Sequence, residues 1–287
     1  MSRTILSSIA TAARPAALVL SALVCLAGSQ PAFPQESDRT ARSDPPRAGS
    51  RTRDPAGQPA AQHPLEPALR IAESCRQSLA DVEDYEAMFS KWEIVGGRGH
   101  GHTMRMKFRT TPMSVYLRFE NPHAGREVIY VEGRNDGNLL AHETGVKSLV
   151  GTVALRPDSP RALSESKHPI THAGLANMLE GILAQWRAET KLDGVEVLYY
   201  ADAKLRGAEC KVIEATHPRP GRDVRFHRTR LYIDKQTNLP VRLEQFGFPE
   251  RPGEKPPLLE QYTYWNIRTN VGLTDADFDV RNPAYGF

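Results

Sequence analysis

The stretch that decides the fold is Met104-Arg-Met-Lys-Phe-Arg-Thr-Thr-Pro-Met-Ser-Val-Tyr-Leu-Arg-Phe119, in which apolar residues alternate with basic or other polar ones. Successive side chains of a β-strand point to opposite faces of a sheet. Each half of the stretch therefore predicts a strand with one apolar face and one wet face. Such strands are typical of an antiparallel sheet that is covered on one side.

Similar strand candidates extend this pattern in both directions along the chain. They are Tyr85–Val95, Glu127–Glu132, Val146–Leu155, Val195–Tyr200, Cys210–Thr216, Val224–Ile233, Pro240–Phe246 and Leu259–Arg268. Gly96-Gly97-Arg98-Gly99 reads as a hairpin loop, and Asn135-Asp136-Gly137 is a hairpin signal because these residues tolerate positive φ. Short connections of this kind predict antiparallel neighbours.

Two amphipathic helices accompany the strands. The first runs from Leu65 to Val82, and the second follows Thr171, which we expect to cap it, and ends before Asp193. The apolar stripe of the second helix consists of Leu175, Met178, Leu179, Ile182 and Trp186. Strands, one inserted helix and further strands predict an α+β fold, with helices on one face of a large sheet, as a single domain over residues 65–287.

The N-terminal region has two parts of different character. Residues 1–29 show the order of a secretory signal: Arg3 and Arg14, the apolar run Ala16–Ala27, then small residues. The run is shorter than the roughly 20 residues of a transmembrane helix, although an uncleaved N-terminal anchor is the alternative. Residues 30–64 lack the apolar content for a core, and we expect a disordered linker. An exported protein of the periplasm or envelope is therefore predicted.

The three cysteines bear on anchoring and on stability. Val24 precedes Cys25, whereas a lipoprotein signal needs a small residue there, so we expect no lipid anchor at Cys25. Cys75 and Cys210 could form a disulfide in an oxidising compartment, worth roughly 4 to 5 kcal/mol, or remain two buried thiols. The formal net charge is only +3, and two of those charges belong to the predicted signal. Such a balance gives no basis for nucleic-acid binding.

No arrangement of residues in the sequence predicts catalysis. His100 and His102 form the tightest histidine pair, but no Asp, Glu or Cys nearby completes a shell, so we predict no metal site and no cofactor. Nucleophile motifs are missing, and Glu127 and Glu132 would pair only if folding joined them. The glycines at 97, 99 and 101 lead into a strand, so hairpin flexibility explains them better than phosphate binding.

A row of basic residues lies on the wet side of the central strand pattern. It consists of Arg105, Lys107, Arg109 and Arg118, all of which we expect on one sheet face. One interpretation is an anionic surface patch for lipid headgroups or an acidic partner. The other is the solvated convex face of a half-buried sheet, which the alternation itself predicts.

Several segments resemble a known bacterial family. Met104 to Phe119, Gly125-Arg-Glu-Val-Ile-Tyr-Val-Glu-Gly133 and His168-Pro-Ile-Thr-His-Ala-Gly174 are similar to domain of unknown function 1571. Ile233 to Arg242 and Tyr262 to Phe278 resemble the same family, so that the resemblance covers most of residues 70–287. This family has no established activity, and the resemblance therefore implies no catalytic residue.

A looser resemblance concerns the strand–turn–strand segment Tyr232-Ile-Asp-Lys-Gln-Thr-Asn-Leu-Pro-Val-Arg-Leu-Glu244. It is similar to periplasmic lipoprotein carriers of the LolA type and to related envelope-stress sensors. The resemblance implies a curved antiparallel sheet, a half-barrel that covers two amphipathic helices. It also implies an apolar concave face that holds acyl chains or a protein partner.

Three hypotheses of function follow. The first is a non-enzymatic envelope protein that binds a lipid, lipoprotein or other apolar ligand, with Leu175, Leu179, Ile182 and Trp186 as candidate ligand contacts. The same apolar stripe could equally be plain core. The second is a periplasmic protein-interaction or sensory module, and the third is a hydrolase of envelope polymer, which needs paired carboxylates or a Ser/His pair. Oligomeric state has no signal in the sequence.

Overall fold

The structure is a computed structural model of the 287-residue chain, and it describes residues 62–145, 149 and 151–287. The two helices are α1 (Leu65–Leu79) and α2 (Leu175–Glu189). The strands are β1 (Asp84–Val95), β2 (Arg98–Arg109), β3 (Ser114–Asn121), β4 (Glu127–Val131), β5 (Leu139–His142), β6 (Val153–Leu155), β7 (Glu196–Leu205), β8 (Ala208–Thr216), β9 (Arg228–Asp234), β10 (Pro240–Phe246) and β11 (Leu258–Thr269).

Within the described residues, eleven strands form one curved antiparallel sheet that does not close, in the order β6-β5-β4-β3-β2-β1-β11-β10-β9-β8-β7. Neighbours in the sheet are also neighbours in the sequence, except at its centre. There the first strand pairs with the last, with Phe89 opposite Tyr264 and Lys91 opposite Tyr262. The predicted α+β fold, a large antiparallel half-barrel sheet with two helices, is confirmed.

The two helices cover one face of this sheet, here called the helix-covered face. Register places Phe89 beside both Tyr264 and Met104, and Met104 beside Phe119, so these four side chains share that face. All four are less than 10% exposed. Burial of such side chains contributes about 1.5 to 3 kcal/mol each, which makes this apolar face the main source of stability.

The start of α2 differs from the prediction. Thr171 does not cap the helix, since α2 begins at Leu175 and its N-cap is Gly174, which has no side chain that could cap it. Instead, two buried tyrosines of the sheet accept hydrogen bonds from the helix start. The Leu175 amide donates to the Tyr85 hydroxyl at 3.0 Å and the Gly174 amide to the Tyr264 hydroxyl at 3.3 Å. Long-range partners thus satisfy amide groups that a local cap was expected to bind.

The glycines near the β1–β2 turn have two separate roles. Gly96 and Gly97, with φ of 56° and 77°, form a two-residue turn of the kind that favours glycine, so the hairpin loop is shorter than predicted. Gly99 and Gly101 lie within β2, and the indole ring of Trp92 covers both. Flexibility therefore does not explain these two glycines, because they make room for an aromatic ring on the neighbouring strand.

Gly99→Ala is expected to lower the free energy of unfolding by about 1 to 3 kcal/mol, because the added methyl group overlaps the six-membered ring of Trp92. Urea denaturation measures the change. In a Trp92→Leu background the same substitution should cost much less. Equal costs in the two backgrounds would show that the ring contact is not the cause.

The face opposite the helices carries a second, smaller apolar cluster. Tyr116 and Ile129 from the sheet pack there with Phe278 of the C-terminal segment, and Tyr285 stacks on Tyr116 at a ring-centroid distance of 4.1 Å. The basic row is on this face and has acidic partners. The pairs are Arg105–Glu120, Lys107–Asp277, Arg109–Asp275 and Arg118–Glu127. Two of these pairs involve the C-terminal segment. The basic row is therefore neither an open patch for anionic ligands nor a simple solvated face of the sheet.

Some predictions fall on residues outside the described ranges. The signal over residues 1–29, Cys25, the linker up to residue 61 and residues 146–148 and 150 of the predicted strand Val146–Leu155 lie there. Of the described part of that strand, Val153–Leu155 is observed as β6. Among the described residues, no helix combines the length and apolar character needed to cross a membrane.

Candidate functional site

Toward one end of the helix-covered face, the apolar pattern changes to charged residues. This charged row consists of Lys91 and Glu93 from β1, His102 from β2, and Glu260 and Tyr262 from β11. Lys91 lies opposite both Tyr262 and His102, and Glu93 lies opposite Glu260, so all five share that face. Glu93 and Glu260 are each only 1% exposed. Buried carboxylates at these positions need compensating partners.

The charged row supplies many of those partners itself. The Lys91 ammonium donates to Glu93 Oε2 at 2.7 Å. The Tyr262 hydroxyl lies 2.7 Å from Glu93 Oε1 and 3.0 Å from Glu260 Oε2, which places it between the two carboxylates. Burial, followed by the two neighbouring carboxylates, raises the pKa of Tyr262 far above its usual range, so the phenol stays protonated.

A strap, residues 163–169, crosses the charged row before α2 begins. Lys91 donates to the backbone carbonyl of Glu165 at 3.0 Å, and the Lys167 amide donates to Glu93 Oε2 at 3.1 Å. The Lys167 ammonium donates a hydrogen bond to Glu260 Oε1, and Glu260 Oε2 lies 3.0 Å from His168 Nε2. Charge-assisted hydrogen bonds of this kind are stronger than neutral ones, so the row anchors the strap to the sheet.

Glu260 remains ionised in this setting. Burial acts to raise its pKa, but the hydrogen bonds from His168 and Lys167 outweigh that effect and lower the pKa to about 2. Glu93 and Glu260 are thus brought together, as a hydrolase would require, yet their exposure of 1% leaves no room for a substrate beneath the strap. The geometry fits a structural anchor better than an acid–base pair.

A second group of polar side chains surrounds Glu165 of the strap. His102 Nε2 and His123 Nε2 each lie 3.4 Å from an oxygen of its carboxylate. Arg126 Nη1 donates to the same carboxylate at 3.1 Å, and Arg126 Nη2 lies 2.8 Å from Glu143. The hydrogen bond from His102 and the guanidinium of Arg126 hold the pKa of Glu165 well below its usual range, against the opposing effect of burial. Burial lowers the pKa of His102, so this imidazole is neutral at physiological pH.

At the other end of the same strands lies a cleft of about 280 Å³, here called the helix-end cleft. It is bounded by Ser78 near the end of α1, by the β7–β8 and β9–β10 turns, and by β11. Its apolar wall consists of Val82, Leu205, Leu239, Val241, Tyr264 and Ile267. A groove of about 490 Å³ along the outer sides of α1 and α2 is lined mainly by charged and polar residues, including Glu73 and Arg187. Of these two cavities, the helix-end cleft is the one suited to an apolar ligand.

The predicted ligand contacts on α2 lie in the core. Leu175, Leu179, Ile182 and Trp186 are 0%, 0%, 1% and 0% exposed. A ligand would reach them only if α2 moved away from the sheet. Their part in ligand binding stays a prediction.

The two cysteines of the domain are buried and free. Lys211, Ile213 and Ala215 share the helix-covered face of β8 by strand alternation, which turns Cys210 toward the opposite face. Cys75, in contrast, is buried on α1. No disulfide joins the pair, and burial raises the pKa of each thiol to about 11. Both thiols are therefore protonated at neutral pH, and the disulfide considered from the sequence is not formed in this structure.

The sequence patterns did not lead us to predict the charged row or the position of Glu165. The sequence does contain part of the signal for the charged row. On β1, Lys91 and Glu93 lie on the same face of the sheet as Phe89, so two charged side chains continue an apolar face. The same change occurs on β11 from Tyr264 to Glu260. Glu165 had no such signal, because only the folded chain brings it to His102 and His123.

Comparisons with solved structures found several that are similar over much of the chain at low identity. Similar solved structures include the Mycobacterium tuberculosis lipoprotein LppX, with 14% identity and a TM-score of 0.43 over 75% of this chain and 100% of that one. The Pseudomonas aeruginosa MucA/MucB complex has 14% identity and a TM-score of 0.38 over 74% and 60%. A LolA superfamily protein from Nitrosomonas europaea has 10% identity and a TM-score of 0.30 over 74% and 97%. At such scores, the likenesses carry no argument about function.

The sequence comparisons give a clearer result for the family. No curated protein matches the chain. One family model, described as protein of unknown function (DUF1571), matches residues 82–287, which run from β1 to the C-terminal segment. The resemblance noted in the strand sequences is confirmed, and the chain belongs to the DUF1571 family.

Proposed function

We propose that this protein is a non-enzymatic, exported envelope protein that binds a lipid, a lipoprotein or another apolar ligand. The observation that carries the proposal is the helix-end cleft, where the apolar wall of the sheet meets the end of α1. Export itself rests on the signal-like order of residues 1–29.

The wall of the cleft is continuous with the core. Leu205, Leu239 and Val241 are each 5% exposed or less, and Tyr264 links the cleft to the start of α2 through its hydrogen bond with the Gly174 amide. A ligand in the cleft would therefore lie close to the start of α2, the point about which α2 would turn if it moved away from the sheet. In this proposal, α2 with Leu175, Leu179, Ile182 and Trp186 is the lid over a larger apolar space.

The size of the cleft limits the ligand. Small-molecule pockets have volumes of about 300 to 1,000 Å³, and the helix-end cleft, at about 280 Å³, is at the lower limit. It accommodates part of one acyl chain in the closed protein. Each buried CH₂ group contributes about 0.8 kcal/mol, so six to eight of them supply about 5 to 6 kcal/mol before ordering costs.

Binding of a fluorescent medium-chain fatty acid to the purified full chain tests the proposal. We expect saturable binding that Ala208→Trp, at the rim of the cleft, weakens by about tenfold or more because the indole occupies ligand space. Ala184→Trp on the exposed side of α2 is the matched control and should bind as the unsubstituted chain does. Native mass spectrometry of protein purified from the envelope should show a bound apolar species. No uptake by the unsubstituted chain and a ligand-free mass would contradict the proposal.

A second candidate function, binding of an envelope protein partner, is favoured by one observation. Strand β7 ends the sheet, and it exposes Leu198 and Tyr199 at 42% and 43%. A long edge strand with exposed apolar residues is a site where an extended segment of a partner can add to a sheet. Photo-crosslinking from position 198 in cells should give a discrete adduct, whereas position 271, with Val271 39% exposed, should give none. Equal labelling from both positions would contradict this candidate.

A further inference from the structure

The group around Glu165 has the composition and spacing of a metal site. One ligand-type atom from each of His102, His123 and Glu165 lies within 4.8 Å of the other two. The three residues come from β2, from the turn after β3 and from the strap, so the fold brings together residues that are far apart in the sequence. Imidazole and carboxylate groups are typical ligands of zinc and of related divalent transition metals.

The distances support this interpretation. Two ligand atoms that are each about 2.1 Å from a tetrahedral zinc ion lie roughly 3.4 Å apart. The distances from His102 Nε2 and from His123 Nε2 to the Glu165 carboxylate are both 3.4 Å. The first distance is to Oε2 and the second to Oε1. Both are at the long end for a hydrogen bond and equal the spacing of two ligands on one ion.

Local charge also permits a cation. Lys91 and Arg126 lie beside the cluster, and each has a carboxylate partner besides Glu165, Glu93 at 2.7 Å and Glu143 at 2.8 Å. Among these five groups, two cations and three carboxylates leave one negative charge in excess. Arg126 would keep one oxygen of Glu165 as a hydrogen-bond partner, an arrangement common around metal-bound carboxylates.

Burial and access fit as well. The His102 side chain is 3% exposed, whereas those of His123 and Glu165 are 31% and 35% exposed, so one side of the cluster is open to solvent. His102 Nε2 is the ring nitrogen turned toward the Glu165 carboxylate, so it is the atom that would bind an ion.

We propose that His102, His123 and Glu165 bind one divalent transition-metal ion, with zinc as the preferred metal. Three protein ligands leave a coordination position for water on the open side. The ion would tie the strap to β2 and to the turn after β3, in addition to the contacts of the charged row. This proposal is independent of the helix-end cleft, which lies at the other end of the strands.

Zinc titration of the purified, tag-free full chain after treatment with a chelator tests the site. Calorimetry should show about one ion per chain, and cobalt in place of zinc should give a visible d–d absorption band. His123→Gln and Glu165→Gln should each weaken zinc binding by at least about tenfold and remove the cobalt band. These two side chains are partly exposed, so both variants should fold, which circular dichroism verifies.

His100→Gln is the matched control, since His100 lies two residues from His102 on the same strand but outside the cluster. It should bind zinc as tightly as the unsubstituted chain. The proposal is overturned if the unsubstituted chain binds no more zinc than His123→Gln does. Equal loss in the His100→Gln variant would overturn it too.

Discussion

Gly174→Ala is expected to lower the free energy of unfolding by about 3 to 5 kcal/mol. Gly174 has a φ of 109°, a conformation that only glycine adopts readily, and an added Cβ would lie 2.7 Å from Cε2 of Phe108. Phe108 is 4% exposed and stacks on Tyr85, whose hydroxyl holds the first amide of α2. The ring therefore has no space to move away, and backbone strain adds to the overlap.

Gly181→Ala is the matched control on the same helix. Gly181 is exposed within α2, and an added Cβ would meet nothing within 4 Å. The better helix propensity of alanine should stabilise the protein by about 0.5 to 1 kcal/mol. Urea denaturation of both variants measures the contrast. Equal effects of the two substitutions would show that the start of α2 is not constrained as described.

Glu260→Gln is expected to lower the free energy of unfolding by about 3 kcal/mol at neutral pH. The folded-state pKa of Glu260 is about 2, below the ordinary value of 4.5, so the ionised carboxylate stabilises the folded protein. That contribution is complete above the ordinary pKa and is lost as the pH falls toward 2. The substituted chain should therefore lose less stability than the unsubstituted chain between about pH 5 and pH 2.

Glu254→Gln is the control for this measurement. Glu254 pairs with Arg251 on the surface, where both side chains are well exposed. An exposed ion pair contributes about 0 to 1 kcal/mol, so this variant should stay close to the unsubstituted chain at every pH. If the free energy of unfolding of Glu260→Gln falls between pH 5 and pH 2 as steeply as that of the unsubstituted chain, the charged row does not anchor the strap.

Local sequence patterns were enough to predict the sheet and the helices. The alternation from Met104 to Phe119 predicted β2 and β3 correctly. It could do so because successive side chains of a strand point alternately to the buried and the exposed face. The stripe from Leu175 to Trp186 gave α2 in the same way. Strand β5 was overlooked, since Leu139–His142 has only four residues, too few for a period to be recognised.

The candidate sites depend on contacts that no local pattern contains. Tyr85 and Tyr264 replace the expected Thr171 cap from positions far away in the sequence. Glu165 meets His123 and His102 only after the strap crosses the sheet. The chemistry of these groups depends on burial and proximity, both of which the chain acquires when β1 joins β11.

That junction has a consequence for how the protein is made. Because β11 is inserted between β1 and β10, a chain that stops before Leu258 has two separate ribbons, one from β1 to β6 and one from β7 to β10. The two ribbons cannot join through the sheet until β11 is available to pair with both of them. Closure over such a separation is entropically costly and slow. Assembly of the complete sheet is thus delayed until β11 has been synthesised, and the two ribbons have to wait for each other in an incomplete state.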